Sequence, residues 1–172
     1  MFFIESERLK LIPLTHAQLL LWKESREKLE LSMGLNPSHM IIDPIWEAEI
    51  ADALVNWFIP KTLLYPDDFK WHTNWEVVLK STNTSIGGIG IGYPDANGEA
   101  ITGYSLDKNH QNKGYGTEAL KRICQWGFEH PDVKTIWADT AADNYPSQRI
   151  LVKAGFIETG KKEANLLFKL YK

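Results

Sequence analysis

The sequence predicts an α+β fold, in which a mostly antiparallel, mixed sheet of about seven strands is covered by about four helices. Two observations lead to this prediction. The segments follow one another as one strand, two helices, three consecutive strands, a helix, a strand, a helix and two strands. Short turns rich in polar residues and glycine separate the three consecutive strands, as is usual between antiparallel neighbours. The two later helices are expected to pack on the sheet.

The first half contains a strand and two helices. An alternating pattern predicts the strand, and apolar residues at helical spacing predict the second helix. Thr15 is a suitable N-cap for the first helix, which Gly34 ends. Pro44 suits the first turn of the second helix and Pro60 ends it. The expected elements are a strand over 7–14, a helix over about 16–31 and a helix over 45–59.

The second half alternates between strands and helices. His130-Pro131 stops the first of its helices, and Gly155 is placed as the C-cap of the second. The expected elements are strands over 74–80, 86–93 and 99–106, a helix over 117–129, a strand over 133–140, a helix over 144–154, and strands over 156–158 and 165–171.

One face of the strand over 86–93 consists of glycine, at Gly88, Gly90 and Gly92. Because glycine weakens a strand, such a face indicates that something approaches closely. Another backbone or a ligand is one interpretation, and a tightly packed helix is the other. The sequence leaves both open.

Composition excludes several classes of protein. The 172 residues suit one domain over 1–172, and the net charge of −3 argues against nucleic-acid binding. Cys124 is the only cysteine, which excludes an internal disulfide and favours a cytoplasmic setting. No signal peptide or membrane span is recognisable, so no membrane partner is expected. The histidines form no ligand pair at helical spacing, so we expect no metal site.

A polar loop with two glycines, from Gln111 to Gly116, immediately precedes the predicted helix over 117–129. The start of a helix offers unpaired backbone N–H groups and a positive dipole end. Such a site suits a phosphate or pyrophosphate, and Lys113 adds a positive charge. The pattern matches neither a P-loop nor the dinucleotide fingerprint, since Ala119 replaces the third glycine of the latter.

A second polar segment opens the helix over 144–154. Asn144 follows a strand, and Ser147 lies one turn further on, so their side chains share a helix face. From the sequence alone, the role expected of Asn144 is that of an N-cap.

Together these segments resemble the acetyl-CoA-binding half of the GNAT N-acetyltransferases, in particular the RimJ/RimL-like branch of ribosomal-protein N-terminal acetyltransferases. The glycine loop matches the family signature at Gln111, Gly114 and Gly116. Further matches are Thr117-Glu118-Ala119, the opening Ser6-Glu7-Arg8-Leu9, and the second motif at Asn144, Ser147, Arg149, Lys153, Gly155 and Phe156. The resemblance is weakest over 32–70.

The resemblance implies a V-shaped opening between the strands at 100–106 and 133–139, which would hold acetyl-CoA as co-substrate. The pantetheine arm would pair with the backbone of Tyr104, Ser105 and Leu106. The pyrophosphate would lie on the amides of Gln111, Asn112, Lys113, Gly114, Tyr115, Gly116 and Thr117. Asn144 would bind the pantetheine arm, and Ser147 would lie near the thioester sulfur.

The resemblance also implies acetyl transfer to a primary amine, either a protein N-terminus or a small amine. The tyrosine that many members use as general acid is replaced by Leu151, and Ser147 matches the serine that takes this role in the RimL-like branch. Glu99 is the first candidate for the general base, with His72 and His110 as alternatives. The alternative function is an acyl-CoA-binding module without turnover. A monomer or a homodimer is expected.

Aromatic residues are concentrated in the segment that the family uses for its acceptor. Trp71 and His72 precede the second strand, where they could form either an aromatic wall for an amine or peptide, or part of the core. The sequence leaves this open and does not identify the acceptor.

Overall fold

One sheet of eight strands runs through the protein, which a computed structural model describes over residues 1–172. All neighbouring strands are antiparallel except β5 and β6, which are parallel. The spatial order is β1-β2-β3-β4-β5-β6-β8-β7. The strands are β1 (Ile4–Glu5), β2 (Leu9–Pro13), β3 (Trp75–Leu79), β4 (Thr84–Ile91), β5 (Glu99–Leu106), β6 (Thr135–Ala141), β7 (Ile157–Lys162) and β8 (Asn165–Tyr171).

Five helical stretches accompany the sheet, because α3, a π-helical turn at Leu54–Phe58 and α4 follow one another without a break. None of the helices has both the length and the hydrophobicity needed to cross a bilayer. The helices are α1 (His16–Glu24), α2 (Arg26–Ser32), α3 (Pro44–Ala53), α4 (Ile59–Leu64), α5 (Tyr115–Glu129) and α6 (Tyr145–Ala154).

The predicted α+β class and mixed sheet are confirmed, with one strand and one helix more than expected. The extra strand is β1, which pairs with β2 through Ile4 opposite Leu11. The extra helix arises because the predicted helix over 16–31 is interrupted at Ser25. Ser25 has extended backbone angles and ends α1 by donating its N–H to the carbonyl of Leu21. Its hydroxyl oxygen accepts from the amide of Lys28 and so caps α2.

The core lies on both faces of the sheet. The larger cluster, of 23 buried residues, fills the space between one face and helices α5 and α6. It includes Leu11 and Val77, whose neighbours along the strands, Ile12 and Val78, point to the opposite face. On that face a smaller cluster built around Leu14, Leu19, Leu29 and Leu54 joins the helices α1 to α4 to the rest of the protein. The protein is therefore a helix–sheet–helix sandwich.

The glycine face of β4 is not covered by a helix. Helix α5 packs on the other face, where Ile91 lies so close to Gly127 that a Cβ on the glycine would be 2.7 Å from it. On the glycine face, a Cβ on Gly88 would overlap the carboxamide of Asn74. Gly88 also lines a cavity of about 790 Å³. Of the two interpretations left open by the sequence, the tightly packed helix is not found, and a backbone group, the carbonyl oxygen of Thr73, lies 3.7 Å from a Cβ on Gly90.

The parallel strands β5 and β6 pair only at one end. Their ladder consists of Glu99 with Thr135, Ala100 with Ile136 and Ile101 with Trp137. Beyond these residues β5 continues to Leu106 and β6 to Ala141 without pairing to each other. The predicted opening between these strands is therefore confirmed, and we call it the β5–β6 gap.

We predict that Gly87→Ala lowers the free energy of unfolding by about 1–3 kcal/mol, the usual cost of overpacking. A Cβ at Gly87 would overlap the backbone oxygen of Ser105 in the neighbouring strand, and a backbone group cannot rotate away. Gly103→Ala is the matched control, because no atom lies within 4 Å of its added Cβ. Urea unfolding measures both. Equal losses for the two variants would contradict this account.

Candidate functional site

The β5 edge of the gap offers unpaired peptide groups. In the β4–β5 ladder, Asp107 donates its N–H to Ile86 and Ile101 accepts from Gly92. Since successive residues of a strand direct their peptide groups to opposite sides, those of Tyr104 and Leu106 point away from β4 and into the gap. Ser105 differs from the prediction, because its peptide group faces β4 and its side chain lines the cavity.

The peptide groups at the β6 edge of the gap alternate in the same way. The N–H of Lys172 donates to the carbonyl of Lys134. In the β6–β8 ladder, Lys134 and every second residue after it therefore direct their peptide groups to β8. The peptide groups of Asp139 and Ala141 consequently point toward β5, and the carbonyl of Ala141 accepts from the side chain of Gln148. An extended molecule with amide groups can therefore add to either edge as an extra strand would.

Tyr104 and Ser147 meet across the gap on the side of α6. The phenol oxygen of Tyr104 lies 3.0 Å from the Oγ of Ser147 and 3.2 Å from its carbonyl oxygen. Burial raises the pKa of Tyr104 to about 12, and the hydrogen bond with Ser147 offsets only part of that rise. The phenol therefore keeps its proton at neutral pH and holds the first turn of α6 against β5.

Asn144 is the N-cap of α6, as the sequence indicated. Its Oδ1 accepts from the amide of Ser147 at 3.3 Å. The Nδ2 group of Asn144 donates to no group of the protein, so it is free to donate to a ligand. Gly155 ends the helix in the left-handed conformation, also as expected.

The glycine loop presents a row of free amides. None of the backbone N–H groups from Asn112 to Thr117 donates to a protein acceptor, whereas the amide of Gln111 is paired with Lys108. The side chain of Gln111 donates instead to the carbonyl of Leu106. Such a row at the start of the 15-residue helix α5 is suited to an anion.

The two glycines of the loop are required by the fold. Gly114 adopts a φ of 83°, in the left-handed region that favours glycine. A Cβ on Gly116 would lie 2.9 Å from Ile150 and 3.2 Å from Leu106, so this glycine lets α5, α6 and β5 come together. The lack of a side chain at Gly116 therefore serves packing, and its backbone N–H is available to an anion.

A clamp between the β1–β2 connection and α5 fixes the loop. The carboxylate of Glu118 accepts from the Ser6 hydroxyl at 2.7 Å, from the Arg8 amide at 2.8 Å and from the Arg8 Nε at 2.7 Å. Arg8 also donates to the carbonyl of Lys113 at 3.1 Å and lies 4.4 Å from the ring centroid of Tyr115. Two of the sequence motifs, Ser6–Leu9 and Thr117–Ala119, are therefore joined in one contact.

A cavity of about 790 Å³ lies on the other side of the sheet, beneath α1, α2 and α3. Gly87, Gly88 and Ser105 form part of its wall, so it reaches the section of β5 that has no β6 partner. Six charged side chains line it, of which Glu30 and Glu76 are buried and pair with Arg26. This cavity and the β5–β6 gap adjoin the same stretch of strand.

Glu99, the base predicted from the sequence, lies apart from Tyr104, the residue that contacts Ser147. It belongs to the paired end of β5, about 16 Å along the strand from Tyr104. Its carboxylate is held by the ammonium group of Lys169 at 2.6 Å. A carboxylate on the open section of the gap is Asp139, which accepts from Asn165 at 2.8 Å and lies on the face opposite α6.

The other candidates are engaged elsewhere. His110 is hydrogen-bonded to Asp107 at 2.6 Å, and the ring of His72 stacks on Tyr65. Trp71 is buried in an aromatic cluster with its ring centroid 4.5 Å from that of Trp126, so it belongs to the core. No group of three or more His, Cys, Asp or Glu side chains is placed to hold a metal ion.

Comparison with known proteins identifies the family. The model of the acetyltransferase (GNAT) domain matches residues 8–157. The chain belongs to the GNAT acetyltransferase family. The family predicted from the motifs is thus confirmed.

Individual relatives agree with this assignment. The uncharacterized N-acetyltransferase YjdG of Bacillus subtilis (strain 168) is 37% identical over 89 residues, which are 51% of this chain and 53% of that protein. The match therefore spans about half the length of that curated relative. Two solved acetyltransferase structures share the fold.

The first is RimL, a ribosomal L7/L12 α-N-protein acetyltransferase solved in complex with coenzyme A. It has a TM-score of 0.69 and 15% identity, over 99% of this chain and 98% of that one. The second is Mycobacterium smegmatis RimJ in complex with CoA-disulfide, with a TM-score of 0.65 and 20% identity, over 95% of this chain and 81% of that one. At these identities the likeness establishes the fold.

We predict that Glu118→Gln removes an acid-sensitive part of the stability. Burial raises the pKa of Glu118, but the hydrogen bonds from Ser6 and Arg8 and the charge of Arg8 outweigh it, so the folded-state pKa lies below the ordinary value of 4.5. Ionised Glu118 therefore stabilises the fold above about pH 4.5, and this contribution disappears as the pH falls through the folded-state pKa.

Thermal unfolding followed between neutral and acid pH tests this prediction. The variant should be less stable than wild type at neutral pH, by about 1–3 kcal/mol for the lost charged hydrogen bonds. The two curves should converge below pH 4.5. A difference that persists unchanged in acid would show that the charge of Glu118 is unimportant.

Proposed function

We propose that the protein transfers the acetyl group of acetyl-CoA to a primary amine by direct attack in a ternary complex. The observation that carries this proposal is the continuity of two binding features. The peptide group of Tyr104 and the N–H of Leu106, which face the β5–β6 gap, lead to the row of free amides from Asn112 to Thr117. An extended chain of amides that ends in a pyrophosphate, as acetyl-CoA has, matches both.

The binding roles follow from these groups. The amides from Asn112 to Thr117 would hold the pyrophosphate, aided by the positive end of α5. Lys113 donates to the carbonyl of Asn109 at 2.8 Å, which keeps its ammonium group beside the loop. The free Nδ2 group of Asn144 and the gap-facing peptide group of Tyr104 would bind the pantetheine arm.

The bound co-substrate supplies an activated acetyl group as a thioester. In the transfer the amine nitrogen forms a bond to the acetyl carbon, the carbon–sulfur bond breaks, and the sulfur keeps the bonding pair. The amine must lose a proton and the sulfur must gain one. Ser147 is the proposed proton donor to the sulfur, because it opens α6 at the gap and its hydroxyl is oriented by Tyr104.

Asp139 is the proposed proton acceptor for the amine. Its carboxylate stands on the open section of β6, on the face of the sheet that carries the cavity, two residues beyond the last β5–β6 pair. It would take the proton directly or through one water molecule. The acceptor would approach from the cavity, which reaches β5 at Ser105.

Ser147→Ala tests the catalytic role of the hydroxyl. Loss of a proton donor weakens transition-state stabilisation, so turnover should fall by about 10²-fold while the affinity for acetyl-CoA changes little. Release of free thiol measures turnover with a panel of amines, and calorimetry measures affinity. Unchanged turnover would reduce Ser147 to a structural role. If the wild-type protein binds acetyl-CoA but none of the amines or peptides tested causes release of thiol, the protein would instead be a binding module.

A pair of carboxylate variants tests the base. Asp139→Asn should lower the rate by about 10²-fold near neutral pH and less at high pH, where unprotonated amine is plentiful. Glu99→Gln is the matched control and should leave the rate unchanged, because Glu99 is paired with Lys169 away from Ser147. The pH profile of kcat/KM is the measurement. A loss in the Glu99 variant alone would restore the prediction from the sequence and exclude Asp139.

A further inference from the structure

Three charged side chains form the floor of the cavity, and we call them the Arg26 cluster: Arg26, Glu30 and Glu76. Glu30 is 3% exposed and Glu76 is 1% exposed. Arg26 donates its Nε to Glu30 at 3.0 Å and both terminal nitrogens to Glu76. Buried charges of this kind are costly unless their charge is balanced.

The two carboxylates differ in how fully they are hydrogen-bonded. Glu76 accepts four hydrogen bonds, two from Arg26, one from Ser85 at 2.5 Å and one from Asn74 at 3.1 Å. A carboxylate has about four acceptor positions, so Glu76 is filled. The Oε2 of Glu30 accepts only from the amide of Ser38, at 3.1 Å. Glu30 therefore keeps one open acceptor position at the cavity.

The charge of the Arg26 cluster is also unbalanced. Two carboxylates surround one guanidinium, which leaves one negative charge in excess. The rest of the cavity wall does not correct this, because Glu27 and Glu47 add two carboxylates and Lys23 adds one ammonium group. A positively charged ligand would compensate the excess, whereas a carboxylate ligand would increase it.

One part of the cavity wall is apolar. It is formed by Trp22, Met40, Ile42, Ile50, Leu54 and Val55. Such a wall suits the methylene groups of an aliphatic chain. The volume of about 790 Å³ lies in the range typical of small-molecule sites rather than of an extended protein interface.

We infer that the acceptor is a small amine carrying a second positive charge, such as an aliphatic diamine or polyamine. Its distal ammonium group binds the open acceptor position of Glu30, its chain lies along the apolar wall, and its reacting amine points to β5 at Ser105. This inference rests on the proposed function and names the substrate class for the same reaction. Glu30 is then the residue that selects the charge of the acceptor.

Three acceptors that share one alkyl chain test this inference on the wild-type protein: diaminobutane, butylamine and aminobutanoic acid. They share the reacting amine and three methylene groups, and differ at the fourth carbon, which belongs to an aminomethyl, a methyl or a carboxylate group. A hydrogen bond between charged groups corresponds to a tenfold or larger effect. We therefore expect kcat/KM for diaminobutane to exceed that for butylamine by about tenfold or more, with aminobutanoic acid the poorest.

The Glu30→Gln variant tests whether Glu30 is the residue that selects the charge of the acceptor. It should lower kcat/KM for diaminobutane about tenfold and leave that for butylamine nearly unchanged. Glu24→Gln is the matched control, because Glu24 lies on the neighbouring helix, pairs with Lys28 at the surface and does not line the cavity. It should change neither value. The acceptor series on wild-type protein decides the inference even if the Glu30 variant does not fold.

The outcomes separate this inference from the proposed function. Equal use of the three acceptors, or preference for butylamine or aminobutanoic acid, overturns the inference. So does acetylation of peptide N-termini with no reaction of diaminobutane, and in each of these cases acetyl transfer itself stands. Failure to bind acetyl-CoA in calorimetry overturns the proposed function and the inference with it.

Discussion

The early end of the β5–β6 ladder is the constraint on which the site depends. Parallel strands normally satisfy each other's peptide groups along their whole length, and an unpaired edge in the middle of a sheet is rare because it leaves donors and acceptors without partners. Here pairing stops at Ile101 and Trp137, so the peptide groups of Tyr104 and Asp139 remain unpaired inside the sheet. The site exists because the sheet is incomplete at this point.

The surroundings of the gap hold it open in a defined shape. Helix α5 connects β5 to β6, and Gly116 allows it to approach Ile150 and Leu106 closely. The contact between Tyr104 and Ser147 ties α6 to β5 across the gap. The Glu118 clamp attaches the start of α5 to the N-terminal part of the sheet. Distant segments of the chain therefore fix the free amides and the hydroxyl relative to each other before any ligand binds, which is what efficient group transfer requires.

The sequence predicted those features that local rules determine. The glycine loop, the N-cap at Asn144 and the C-cap at Gly155 each depend on residues within one turn of a helix, and the structure has all three. The order of the elements similarly gave the α+β class. Ser25 shows the limit of such rules, since the helical pattern continues through it, whereas in the structure its backbone is extended and it ends α1 and caps α2.

The parts that escaped prediction depend on partners far apart in the sequence. Glu118 meets Ser6 and Arg8 across more than a hundred residues, and Arg26 meets Glu76 across fifty. For Glu99 the strand face was predicted, but its distance from the open end of the gap and its pairing with Lys169 were not. The resemblance of Ser6–Leu9 and Thr117–Ala119 to family motifs was the one signal that these two segments belong together.

Amide hydrogen exchange measured by NMR, with and without saturating acetyl-CoA, tests the central claim most directly. If the co-substrate adds to the open edge of β5, exchange should slow at Tyr104 and Leu106, whose peptide groups face the gap. Exchange at Ser105 should stay the same, because its peptide group already faces β4. Binding detected by calorimetry without any change at Tyr104 and Leu106 would contradict the claim that the gap holds acetyl-CoA.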